Sequence, residues 1–129
     1  MKASFWLLSE VVVVVHELQI ARFGGSEGLG DAGLLESALS RPVNKNAYDE
    51  NATVFDLAAA YGFGLARNHP FVDGNKRVAF AAMAIFLSEN GYELVPEKMD
   101  ALETIMRLAA GELEEDELAR WVGDNSHEV

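Results

Sequence analysis

His69-Pro70-Phe71-Val72-Asp73-Gly74-Asn75-Lys76-Arg77 brings an imidazole, a carboxylate, a glycine, an amide and two cations into one short stretch. The run that follows, Val78 to Leu87, is apolar and alanine-rich. It is too long for a strand and predicts a buried helix. Gly74, Asn75, Lys76 and Arg77 therefore fall in or near a first helical turn. Cations are unfavourable there, because the helix dipole is already positive at its N-terminus. Their presence is explained by a bound anion, on which free backbone N–H groups, the dipole and both side chains would converge. Gly74 leaves the approach open and can take a positive φ.

The other polar residues supply chemistry on such an anion. Asp73 can hold Mg²⁺, which favours one or two carboxylates together with substrate phosphate oxygens. His69, with an ordinary pKa of about 6.5, suits a general base. Asn75 can donate its amide to a phosphate oxygen. Arg77 offers a bidentate fork and Lys76 a point charge. These are the parts of a phosphoryl- or nucleotidyl-transfer site, where positioning and charge neutralisation supply most of the catalysis. Each residue also has a plainer reading: Asp73 as helix cap accepting from Asn75 or Lys76, Lys76 and Arg77 as solvated charge, His69 as a satisfied loop histidine. The plain readings would all have to hold together, in this order and spacing.

The stretch resembles the Fic motif, His-Pro-Phe-x-x-Gly-Asn-Gly-Arg, in the form of the death-on-curing (Doc) branch, with Lys76 in place of the second glycine. The resemblance continues in Phe23-Gly24-Gly25, Gly28-Leu29 and Gly33 to Pro42, and in Ala110 to Leu113 and Leu118 to Trp121. It implies an all-α, compact Fic-type domain. In it His69 would be the base on a protein hydroxyl, Asp73 would bind Mg²⁺, and Gly74, Asn75, Lys76 and Arg77 would hold the phosphates of ATP. Most members of the family transfer AMP. The Doc branch implies a kinase instead, with ATP reversed and its γ-phosphate passed to elongation factor Tu. A cognate antitoxin with a disordered C-terminal segment is the partner so implied. The alternatives are AMP transfer on the same site, and an inactive module that only binds.

Bulk properties agree. The 129 residues suffice for one domain with its own core, and a single domain over 1–129 is expected. Cys is 0, which excludes disulfides and thiolate metal sites and fits a reducing cytoplasm. The net charge of −11 argues against broad nucleic-acid or anionic-membrane binding and makes Lys76-Arg77 a local exception. The apolar block Val11 to Val15 is far below membrane-spanning length, and no targeting segment is expected, Lys2 being the only early cation.

About six helices must position the site. Ser9 is expected to cap the first, running to Phe23 with Leu7, Val11, Val14 and Leu18 as one apolar stripe and Gly24-Gly25 as its stop. His16 in it reads as a packing or hydrogen-bonding residue. Phe23 to Gly30 reads as loop. Asp31 caps a helix ending near Arg41, before Pro42, with Leu34, Leu35, Ala38 and Leu39 inward. Val43 to Asn51 is expected as loop or flap. Thr53 and Asp56 open a helix from Val54 to Asn68, whose Gly62 and Gly64 predict close helix contact. Arg67, at its end, lies near enough to the motif to reach a nucleotide. Tyr92 to Val95 reads as extended. Glu97 to Ala110 predicts a helix with Met99, Leu102, Ile105, Met106 and Ala109 inward, and Glu114 to Val122 another, before a fraying tail from Asp124.

Overall fold

The computed structural model describes residues 5–129; Lys2 lies outside them. Six helices and a two-stranded ribbon follow in the order α1 (Ser9–Phe23), α2 (Ala32–Tyr48), α3 (Val54–Asn68), α4 (Asn75–Glu89), β1 (Tyr92–Leu94), α5 (Lys98–Ala109), α6 (Glu115–Asp124) and β2 (Ser126–Glu128). The all-α class follows, with a small antiparallel sheet appended.

The core is built on α3, which packs on α2, α4, α5 and α6. Its start is set by the expected box: Thr53 accepts from Asp56 N–H, and Asp56 accepts from Thr53 N–H. Its small residues permit close approach. A Cβ at Gly64 would stand 3.1–3.2 Å from Ala38 on α2, and one at Gly62 would run into Met83 on α4. Tyr61 is wholly buried, its ring 5.1 Å from that of Phe86 on α4 and its hydroxyl accepting from Leu7 N–H at 3.0 Å. Helix α4 lies along α3, burying Val78, Ala79, Ala82, Met83, Phe86 and Leu87.

Several expectations change. Pro42 does not end α2, which continues to Tyr48, so Val43 to Tyr48 is helix and no flap forms there. The carbonyl that Pro42 cannot bond is that of Ala38, against which Gly64 packs. Beyond Pro42, Lys45 reaches Glu115 at 2.6 Å, and Arg41 reaches the other oxygen at 2.8 Å, tying α2 to α6. Tertiary contacts thus carry the helix past its breaker. Within α2, Leu34 turns outward while Leu35, Ala38 and Leu39 are buried.

In α1 the buried face is Val12, His16 and Ile20, and Val11, Val14 and Leu18 face out. Five successive valines make every face apolar, so periodicity does not choose. His16 chooses, through the partner described below. The cap of α1 is Leu8, without a side-chain bond, and Ser9 lies inside the helix.

In α5 only Thr104, Ile105 and Leu108 are buried; Met99, Leu102 and Met106 are exposed. The tail does not fray: Ser126–Glu128 pairs with Tyr92–Leu94, with Glu93 opposite His127. No helix among the described residues is long and apolar enough to cross a membrane.

Candidate active site

The motif forms the turn between α3 and α4. His69 caps α3 in the left-handed region, at φ 50° and ψ 54°, and is the only non-glycine residue with positive φ among those described. That conformation is unfavourable for a side chain bearing a Cβ, and such strain persists where the surroundings impose it. Its imidazole is exposed at the mouth of an open cleft.

Three groups impose the turn. Phe71 is buried, and the ring of His16 stacks on it, centroids 4.0 Å apart and planes 10° from parallel. His16 Nε2–H donates to the backbone carbonyl of Asp73 at 2.7 Å, as a hydrogen-bonding rather than ligating histidine. Asn75 closes the turn from below. Its Nδ2 donates to Phe71 carbonyl and its Oδ1 accepts from Phe71 N–H, both at 3.0 Å. Its amide is therefore largely committed to the loop, and the expected donation to phosphate falls to the remaining N–H. On the other side, Gly28 to Asp31 runs beside the motif. Val72 N–H donates to Gly28 carbonyl, and Gly30 and Asp31 N–H donate to Pro70 carbonyl.

Gly74 is the N-cap of α4, at φ 77°, and no side chain caps the helix. Asp73 does not take the capping role open to it. One carboxylate oxygen accepts from Gly74 N–H at 2.8 Å and the other from Ser26 N–H at 3.1 Å. The first-turn N–H groups of α4 are thus left to the cleft. The Ser26 N–H, then the Gly74 N–H, with smaller help from Arg77 and His16, hold the Asp73 carboxyl below the ordinary aspartate range, so it is ionised. Arg77 donates to Gly24 carbonyl at 3.0 Å with its guanidinium near the ring of Phe23.

The cleft has a volume of about 950 Å³, at the upper end for small-ligand sites. It brings together all six predicted site residues: His69, Asp73, Gly74, Asn75, Lys76 and Arg77. It also contains residues that the sequence did not single out. Lys98, at the start of α5, adds a third cation, so the lining is cationic in a chain of net charge −11. Phe80, Leu102 and Met106 make an apolar wall beyond the charged end. The exposed apolar stripe of α5 was the available signal, since it suits a cleft as well as a core. Arg67 is absent from the lining. It donates to the carbonyls of Leu108 and Leu113, both at 3.1 Å, and lies over Phe63. It closes the C-terminal end of α5, where a cation is favoured.

Mg²⁺ is the ion that such a site implies. Among the described residues no three His, Cys, Asp or Glu side chains converge on a metal. Asp73 alone nevertheless fits a Mg²⁺ that takes its other oxygens from phosphates and water, because it is exposed, ionised and keeps a free lone pair on each oxygen.

Comparison with known proteins agrees with this geometry. The chain is 35% identical over 85 residues to the protein kinase doc of Escherichia phage P1, covering 66% of this chain and 68% of that one. It is 42% identical over 90 residues to the toxin Doc of Mycolicibacterium smegmatis, covering 68% and 69%. The model of the Fic/DOC family matches residues 6–87, from the start of α1 through the motif and most of α4. With the motif turn and all six predicted site residues inside that match, and only the α5 wall of the cleft beyond it, the chain belongs to the Fic/Doc family.

Proposed function

We propose that this chain is the toxin of a toxin–antitoxin pair and a protein kinase. It transfers the γ-phosphate of ATP to a hydroxyl of a translation factor, elongation factor Tu being the expected target, and so arrests protein synthesis. The names of its two relatives, one a protein kinase and one a toxin, support this reading. A cognate antitoxin with a disordered C-terminal segment is the expected partner, and the cytoplasm is the expected compartment.

The uncapped first turn of α4 offers N–H groups to a phosphate, and Arg77 and Lys76 add charge beside it. Asp73 would hold Mg²⁺, which when bound neutralises phosphate charge. His69, at the cleft mouth, takes the proton from the acceptor hydroxyl as its oxygen attacks the γ-phosphorus; ADP leaves.

The observation that carries phosphate rather than AMP transfer is Lys76, exposed in the first turn of α4 and lining the cleft. Glycine at that position leaves room for a second phosphate over the helix end. A lysine side chain narrows that room, which favours a nucleotide entering reversed, with its γ-phosphorus near His69. ATP labelled at the α or γ position tests this. Target labelled from the γ position, with ADP released, is expected. Label from the α position with pyrophosphate released would establish AMP transfer instead, and no label from either would leave a binding module.

A further inference from the structure

The glycine-rich segment after α1 has no part in the reaction as written, yet it touches two of its residues. Ser26 N–H donates to Asp73 Oδ2 at 3.1 Å, and Gly24 carbonyl accepts from Arg77 at 3.0 Å. Gly25 lies between them at φ +120°. A Cβ there would stand 2.7 Å from Asp73 Oδ2 and 3.2 Å from the Arg77 guanidinium, so a larger residue would be strained and would displace one of them. The segment is anchored on both sides, by Gly24 N–H on Ile20 carbonyl and by the pairing of Leu29 with Phe71.

Asp73 and Arg77 are four residues apart, the spacing at which opposite charges beside a helix pair directly. No Asp73–Arg77 ion pair forms among the described residues. Each group is held instead by the segment, the anion by a donor and the cation by an acceptor. Paired with each other, they would neutralise the charges that a magnesium–nucleotide needs.

We propose that Gly24-Gly25-Ser26 is a positioning strap. It holds the Asp73 carboxylate and the Arg77 guanidinium apart, so that both stay available to Mg²⁺ and the triphosphate. The strap acts through Asp73 and Arg77 and touches no reacting atom. Its role rests on the nucleotide reading above.

The test is calorimetric titration of the full chain with ATP, with and without Mg²⁺. Gly25→Ala should weaken Mg²⁺-dependent ATP binding about 10- to 100-fold, the usual effect of losing a group that orients a metal ligand. Binding without Mg²⁺ should change less. Gly91→Ala is the control: Gly91 has φ +92° and nothing within 4 Å, so it carries backbone strain far from the site. It should lower the melting temperature and leave the Mg²⁺ dependence unchanged. Ser26→Pro removes the N–H donor without a Cβ at Gly25, and it decides the matter if Gly25→Ala fails to fold. Wild-type-like Mg²⁺ dependence in the folded variants would overturn the strap, and so would tighter binding, which would make the segment a competitor for Asp73. A wild-type chain that binds no Mg²⁺–ATP would instead defeat the nucleotide reading and the strap's purpose with it. Amide exchange then still reports the contact itself: Ser26 N–H should be protected in the wild type and unprotected in Asp73→Ala.

Discussion

His16 and Asp73 are joined by a 2.7 Å hydrogen bond from the imidazole Nε2–H to a backbone carbonyl, while the same imidazole stacks on Phe71. One buried side chain from α1 thereby fixes the height of the motif turn above α4. His16→Leu keeps much of the packing and removes the donor. The expected loss is about 1–3 kcal/mol for a carbonyl left without its partner, together with a lower transfer rate. Urea midpoints and rates measured side by side check it. A variant with normal stability and reduced rate would show that the bond serves the site alone.

His69, the proposed base, sits in a strained backbone at φ 50°. His69→Ala should slow transfer by about 10² to 10⁴, with folding retained because the ring is exposed. His69→Gly should be equally inactive and more stable than His69→Ala, by about 1 kcal/mol for a left-handed residue without a Cβ. A fully active His69→Ala enzyme would rule out the mechanism.

Asp73 predicts a pH dependence. Its folded pKa is depressed below the ordinary 3.8, chiefly by Ser26 N–H. Its contribution to stability is therefore complete above the ordinary value and is lost as pH falls through the lower folded one. Asp73→Asn should be less stable than wild type at neutral pH, with the difference closing below about pH 4. It should also lose Mg²⁺-dependent activity. A difference in melting that stays constant down to pH 2 would contradict the hydrogen-bonded carboxylate.

Lys76 tests the reaction type by substitution. Lys76→Gly removes the side chain that narrows the cleft, so γ-phosphate transfer should weaken, by about tenfold for a lost charge on phosphate in a partly exposed site. Transfer of label from the α position should rise from background wherever the rest of the cleft admits it. Unchanged γ-transfer would place the lysine outside the nucleotide's reach.

Glu115 tests the extension of α2 beyond Pro42. It receives Lys45 and Arg41 on separate oxygens, and burial, which alone would lower the Lys45 pKa, is outweighed by the Glu115 bond and charge. Glu115→Gln should cost about 1 kcal/mol, because Arg41 is half exposed and the pair is partly screened. Amide exchange should rise selectively from Val43 to Tyr48. Uniform loosening of the whole domain would mean that the tie is not local.

The sequence by itself determined most of the helices and the motif turn, and set the six candidate site residues side by side at one helix end. Thr53 with Asp56, Asp31 and the glycine stops mark helix ends through hydrogen bonds made within a few positions, which makes them readable locally. The motif was legible for the same reason, its groups being adjacent in the chain. Only the tertiary structure decided which face of α1 is buried, since five valines look alike until His16 meets Asp73 and Phe71 far along the chain. It carried α2 past Pro42, because the contacts that offset the breaker come from Glu115 and Gly64. It paired the tail with β1, turned the apolar stripe of α5 toward the cleft and sent Arg67 to the end of α5. It also divided the motif's labour, giving most of the Asn75 amide to Phe71 and setting Asp73 and Arg77 on the segment from Gly24 to Ser26. Each of these depends on a partner distant in sequence, and local spacing carries no record of such partners.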